Sequence, residues 1–403
     1  MIFDVKQVEI FILIESPLSE RDYWRFGIEQ LSKLFKVVIL DCTPWLRPKF
    51  WDAYKHLSFK CHNHFYINSG REIFNYISNP HHTIIIDYLG SDREVNSIRT
   101  KLRARGIIRS IVLLGPIPVF SNHHALLDKF KGIFSHGILN AIKLIRFYIL
   151  NKFKNNVVPA PDIALCSGHN SASKEFLQLI PNIVWAHSFD YEIYRSSRKI
   201  RQHSEGNYAV FLDEDMAFHS DYMHHGLPSP VTPETYFSLM RKFFIEFRKN
   251  TGLNIIIAAH PRSNPDLTLL HWKDFEIHRG DAPRLVMNAK IVFCHQTTSI
   301  SFAILYQKPI IFLTSNELVE SWLGDRISKI SKLLKSRLLN INNLDELSEW
   351  NNTWDISIDH AAYLSYRNDY IKTNKSEELE LWQIFIKFIN KYFQLAESRT
   401  DYK

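Results

Sequence analysis

Three apolar runs set the pattern of the second half of the chain: Ile255-Ile256-Ile257-Ala258-Ala259, Ile291-Val292-Phe293-Cys294 and Ile310-Ile311-Phe312-Leu313. None alternates with polar residues, and helical patterns lie between them. Uninterrupted runs of this length, spaced by helices, predict parallel strands buried on both faces of an α/β layer. A fourth run, Tyr208-Ala209-Val210-Phe211-Leu212, precedes them, and residues 233–251 read as a helix closed by Gly252. The first half follows the same plan, with strands predicted at 8–14, 37–40, 83–87, 110–114, 163–166 and 183–186. A helix is predicted at 19–35 with Trp24, Ile28, Leu31 and Leu34 on its apolar face, and a charged one at 92–105. Residues 43–69 are rich in aromatics and less regular, and Gly115-Pro116-Ile117-Pro118 marks a sharp loop.

The chain has 403 residues, more than one domain usually holds. The polar stretch 194–206 contains Ser196, Ser197, Arg198, Lys199, Arg201, Gln202, His203 and Glu205, and it reads as the linker. The expected division is one α/β domain over 1–200, a second over 207–375, and an aromatic-rich amphipathic tail over 376–403.

Composition narrows the class. Hydrophobic residues make up 45% of the chain and aromatics 13%, enough to build substantial cores. The four cysteines, Cys42, Cys61, Cys166 and Cys294, show neither paired nor metal-ligand spacing, so they are expected as reduced core residues and no metal is expected. Asp4 and Glu9 interrupt the opening segment, which argues against a signal peptide, and no charge-free run is long enough to span a bilayer. A cytoplasmic location follows as the expectation. The net charge of +7 comes without a recognisable nucleic-acid motif, so nucleic acid is not the expected partner. Within 128–154, Lys129, Lys131, Lys143, Arg146, Lys152 and Lys154 interleave with apolar residues. A helix there is either a peripheral anchor on the anionic inner face of the membrane or a domain helix with a solvated basic side.

Candidate chemistry falls at the strand ends. Proline biases the residue before it toward extended backbone, so His260 is expected as the last residue of its strand, at the edge where open α/β sheets bind ligands. Thr297, Thr298 and Ser299 stand where the next strand turns into a helix. Their hydroxyls and the free amides there suit an anion. The two features are expected on neighbouring strand ends, as a phosphate clamp. Asp213-Glu214-Asp215 follows the 208–212 run, and on an extended segment Asp213 and Asp215 share a face. Asp213 is the first choice for a general base and Asp215 the second. The same Asp-x-Asp spacing also fits a divalent-metal site of the GT-A glycosyltransferase kind.

Together the acidic triplet, His260-Pro261 and the Thr297-Thr298-Ser299 cluster resemble the three motifs of bacterial sialyltransferases and polysialyltransferases of the GT-B fold. The resemblance covers about residues 208–313. The family's acidic motif ends in glycine, whereas Asp215, or Met216 if read one residue later, stands here. The resemblance implies two Rossmann-like domains facing across a cleft, with the tail helix crossing back to the first. It also implies transfer, with inversion, of a nonulosonic or related sugar from a CMP donor to a hydroxyl of a bacterial surface glycan or glycolipid. CMP-sugar is then a substrate, and no cofactor or metal is required. Asp213 or Asp215 would take the acceptor proton and His260 would meet the leaving phosphate. Pro261, Arg262, Gly280, His295, Thr297, Thr298, Ser299 and Ser301 would hold the donor, and His187 and His219 would touch the acceptor. Two alternatives stand beside this reading: a glycosyl- or glycerophosphotransferase with a CDP- or UDP-linked donor, and a non-catalytic, membrane-associated glycan-assembly protein.

Overall fold

The computed structural model describes residues 8–115, 118, 158–197, 206–225, 227–343 and 356–400. The basic segment 128–154 and residues 198–205 of the expected linker lie outside the described residues. The chain forms two compact units. The first holds the described residues of Met1–Pro116, Asn151–Phe189 and Lys372–Lys403, and the second holds those of Ile117–Leu150 and Asp190–Ile371.

The first unit is built on seven strands: β1 (Glu9–Ile14), β2 (Lys36–Asp41), β3 (His64–Tyr66), β4 (Thr83–Asp87), β5 (Ile108–Leu113), β6 (Ile163–Cys166) and β7 (Asn182–Trp185). Their order across the sheet is β3-β2-β1-β4-β5-β6-β7, and every pairing is parallel. The second unit has six: β8 (Tyr208–Leu212), β9 (Asn254–Ala259), β10 (Glu276–Arg279), β11 (Ile291–Cys294), β12 (Ile310–Thr314) and β13 (Arg337–Asn340). Their order is β10-β9-β8-β11-β12-β13, again all parallel. Each sheet thus follows the doubly wound order 3-2-1-4-5-6, so the α/β class with two Rossmann-like units is established by topology. In the second unit the winding reverses between β8 and β11. The carboxyl ends of these two strands border the crevice where such sheets take ligands.

The continuous apolar runs are buried throughout: every residue of β8 from Ala209 onward, of β9 from Ile255 onward, and of β11 and β12. Helix Pro233–Thr251 ends as its sequence signals, with Gly252 at φ 69° donating its amide to Arg248 O at 2.9 Å. That helix supplies Phe243, Phe244 and Phe247 to an aromatic core against the sheet. Phe243 and Phe247 meet Phe293 edge-on at 5.5 and 4.9 Å between ring centroids, and Phe211 meets Trp272 at 5.7 Å. Such pairs are worth about 0.5–1.5 kcal/mol beyond burial, and here they also fix the plane of the Trp272 indole.

Three expectations change. The chain passes to the second unit at Asp190, ahead of the polar 194–206 stretch, because Tyr191 is already buried in the second core. The 19–35 helix is two short ones, Glu20–Arg25 and Ile28–Ser32, broken at Gly27 with φ 63°. The break shifts the phase, so Ile28 and Leu31 are buried while Trp24 is 58% and Leu34 46% exposed. The short edge strands β3, β10 and β13 carry too few residues for their pattern to stand out. The tail forms helix Leu381–Thr400, and Leu381, Trp382, Phe385, Ile389 and Phe393 join the first unit's core beside Ile10, Ile12 and Ile39. Trp382 Nε1 donates to Arg25 O at 2.8 Å. Among the described residues no helix is long and apolar enough to cross a membrane.

Gly27 is where the tail helix meets this turn, since a Cβ there would run into the Trp382 ring. Gly27→Ala therefore combines a left-handed backbone penalty of about 1–2 kcal/mol with overpacking of about 1–3 kcal/mol. Urea unfolding should show the variant less stable by roughly the sum of these terms; equal midpoints would mean that the tail does not pack here.

Candidate functional site

At the end of β8 the chain runs into three consecutive carboxyl side chains. Asp213 is 7% exposed, its Oδ2 accepting from Trp272 Nε1 at 3.1 Å and its Oδ1 from the Asp215 amide at 3.0 Å. The second bond turns the backbone out of the strand, and Asp215 sits at φ 52°, a left-handed conformation uncommon for a non-glycine residue. Asp213 and Asp215 therefore do not share a face as an extended segment would arrange them. Glu214 reaches across to the turn after β11, where one oxygen, Oε1, accepts from the amides of His295 at 3.0 Å and Gln296 at 2.5 Å.

Burial dominates the electrostatics. It raises the Asp213 carboxyl to about 7, helped by the neighbouring Asp215 charge, raises Glu214 to about 8, and raises Asp215 to about 6. The bonds from the Asp215 amide and Trp272, and behind them the Arg279 charge, work against the rise at Asp213, and the Arg279 charge works against it at Asp215. The chain thus holds a row of carboxyl groups that exchange protons near neutral pH, the range a general base or acid requires.

Expected as the last residue of its strand, His260 stands one residue past it, directly after Ala259 at the carboxyl end of β9. Its Nδ1 accepts from the Arg262 amide at 3.3 Å, so in the neutral ring the proton sits on Nε2. His219 lies beside it with ring centroids 4.6 Å apart, and His219 Nδ1 accepts from the Asp221 amide at 3.1 Å. Arg262 Nη2 pairs with Asp221 at 3.0 Å. His219, expected against an acceptor, belongs to the same edge of the second unit as His260. Gly280, at φ 75°, follows Arg279 at the end of β10, and a Cβ there would meet open space. The turn after β10 accounts for the glycine, and no neighbouring protein atom requires it.

Several expectations are corrected. His260 and the hydroxyl cluster do not stand on neighbouring strand ends, because β8 lies between β9 and β11. At a strand spacing of about 4.8 Å, their strands are roughly 9–10 Å apart, with the carboxyl row in between. The amides at the β11 turn are not all free, since Glu214 holds two of them. Thr297 Oγ1 accepts a third, from Ser299 at 3.2 Å. Thr298 is exposed and Thr297 and Ser299 are half-buried, while Ser301 is buried on the inner face of helix Ile300–Leu305. His295 is no ligand contact. It is fully buried, Nδ1 donating to Leu313 O at 2.7 Å and Nε2 accepting from Tyr236 at 2.9 Å, and desolvation lowers it to about 4. His187 is fully buried in the first unit, its ring nitrogens 3.2 Å from Ser188 O and 3.1 Å from Leu379 O, where it ties the incoming tail to the strand set. Among the described residues no three His, Cys, Asp or Glu side chains are grouped to hold a metal ion.

Sequence reasoning missed Glu214, Trp272 and Arg279. On an extended segment Glu214 points away from Asp213 and Asp215, which hides its role, and Arg279 ends a strand too short to predict. Its position just before Gly280 was the available signal.

No family model matches the sequence, and no curated protein matches it. Solved structures resemble it in fold. MurG of Acinetobacter baumannii aligns over 95% of this chain and 99% of its own, with 9% identity and a TM-score of 0.48. The S. aureus MnaA structure with UDP aligns over 96% and 97%, with 12% identity and a TM-score of 0.49. A Methanocaldococcus jannaschii UDP-GlcNAc 2-epimerase with UDP-GlcNAc and UDP aligns over 88% and 97%, with 11% identity and a TM-score of 0.44. At these values the likeness transfers no chemistry.

Both bonds to Glu214 go to Oε1, so glutamine can keep them while removing the titration. A carboxyl raised from 4.5 to about 8 favours the folded state below the lower value, and that advantage is lost as pH rises through the upper one. Glu214→Gln should therefore match wild type in urea unfolding below about pH 4.5 and become steadily more stable than it up to about pH 8. A constant difference across that range would refute the buried titration.

Proposed function

We propose that this chain is a glycosyltransferase that takes a nucleotide-activated sugar at the carboxyl edge of β9, β8 and β11 and passes the sugar to a hydroxyl acceptor. The observation that carries the reading is the carboxyl row at the switch point, tuned toward neutral pH and flanked by His260 with His219 on one side and the Thr297–Ser299 hydroxyls on the other. Proton removal from a sugar hydroxyl and charge relief at a departing phosphate are the two tasks of inverting transfer, and these groups suit them.

Asp215 is the base in this reading. Both oxygens of Asp213 are engaged by Trp272 and by the Asp215 amide, whereas Asp215 is half-buried and raised only to about 6. Asp213 then holds the turn that aims Asp215. His260 donates from Nε2 to the leaving phosphate, and the hydroxyls of Thr297, Thr298 and Ser299 bind the nucleotide farther along, on the other side of β8. A ligand that touches both must span the carboxyl row, which an extended nucleotide does. Substrate held in that geometry gains from proximity as well as from electrostatics.

The motif resemblance supports CMP, linked to a nonulosonic sugar, as the donor nucleotide. UDP, the nucleotide in the compared MnaA structure, is the competing choice and belongs in the same screen. A glycan or glycolipid acceptor completes the proposal, with a peripheral place at the membrane as its setting.

Thermal-shift screening of CMP, CDP, UDP and GDP tests the reading, because a ligand that binds only the folded state raises its stability by mass action. One pyrimidine nucleotide should stabilise the protein and the purine should not; no shift with any of them would remove the assignment. With the matching donor, His260→Ala should lower turnover about a hundredfold or more. Unchanged turnover would take His260 out of the mechanism.

A further inference from the structure

We propose that Arg279 is the positioning residue of this site, holding the 260–263 turn, and with it the His260 imidazole, through one guanidinium nitrogen. The clasp itself is independent of the functional reading; what the positioned imidazole then does rests on that reading.

Arg279 ends β10 and lies opposite Ala259 in the parallel ladder, one residue before His260. Its Nη1 is 2.8 Å from His260 O, 2.8 Å from Ser263 O and 2.9 Å from Ser263 Oγ, with Pro261 O at 3.5 Å. Its Nη2 is 3.4 Å from Thr268 Oγ1, on helix Pro265–Trp272. Ser263 closes the turn from within, its amide and hydroxyl both donating to His260 O at 3.1 and 2.9 Å. Carbonyl oxygens turned toward one point repel one another unless a donor sits between them. A planar, permanently charged guanidinium meets that need better than the point charge of an ammonium.

β10 pairs with β9 and β9 with β8, so the same charge lies two strands from the end of β8, where the carboxyl row begins. Around Asp213 and Asp215 stand Glu214 of the same loop, the Trp272 indole, and the Tyr236 hydroxyl that bonds His295 of the β11 turn. The Arg279 charge opposes the burial-driven rise of Asp215, and at Asp213 it adds to the larger opposing effects of the bonds from the Asp215 amide and Trp272. One side chain therefore sets the direction of the imidazole and limits how strongly the carboxyls hold their protons.

Two readouts on the full chain separate these roles from a plain contribution to folding. The first is amide hydrogen exchange at Ser263 and Arg262, which needs no substrate. The second is the pH profile of nucleotide release from the donor identified by the nucleotide screen. Arg279→Ala should speed exchange at Ser263 about tenfold or more, lower kcat about tenfold to a hundredfold with KM nearly unchanged, and move the carboxyl limb of the profile to higher pH. Arg279→Lys should return the limb toward wild type, because the charge is restored, while exchange stays faster than wild type. If Arg279→Ala fails to fold, Ser263→Ala, which removes one acceptor of Nη1 and one of the two bonds that close the turn, should also speed the exchange, to a smaller extent. Unchanged exchange in these variants overturns the clasp. Identical pH limbs for the alanine and lysine variants overturn the electrostatic role. If wild type releases no nucleotide from any donor, the glycosyl-transfer reading falls and the exchange measurement still decides the clasp.

Discussion

Withdrawing three successive carboxyl groups from water at the end of a central strand, Asp213 buried and Glu214 and Asp215 half-buried, is the constraint on which the second unit depends. Removing a carboxylate from water without compensation costs several kcal/mol, and the chain meets that cost with neutral donors and retained protons instead of direct ion pairs. Asp213 takes an indole and an amide, and Glu214 takes two amides from another loop. Each donor needs a different piece of fold: the phenylalanine core that fixes Trp272, the parallel β8 and β11 pairing, and the turn after β11. The winding order brings these pieces to one edge.

The first unit solves the same problem in another way. Asp87 ends β4, and its carboxylate is met by Arg99 at 2.8 Å and Arg109 at 3.0 Å, two guanidinium groups on buried side chains. An acid so paired has its oxygens taken up by the two guanidinium groups, and it locks the end of the strand. Among the described residues no such pair meets the triplet in the second unit, and burial pushes it into the neutral range. That contrast is why the second edge reads as chemistry and the first as architecture.

Much of this was legible in the sequence. Continuous apolar runs gave the buried strands, Pro261 placed His260 at a strand end, and Gly252 closed its helix, because each of these signals acts within a few residues. What escaped prediction depends on partners far along the chain. Nothing local says that β8 lies between His260 and Thr297, that Glu214 turns toward amides some eighty residues later, or that His295 faces Tyr236 in a sealed core. The break at Gly27 escaped for the same reason, since its helical pattern continues across a turn that is shaped by Trp382 of the tail.

The central claim is that an activated nucleotide binds along the edge formed by β9, β8 and β11, across the carboxyl row. Hydrogen exchange read by mass spectrometry with and without the nucleotide that stabilises the protein tests it most directly. The account predicts slower exchange concentrated in three short stretches, 213–215, 260–263 and 296–299. Protection that spares all three and appears instead at strand ends of the first unit would contradict it.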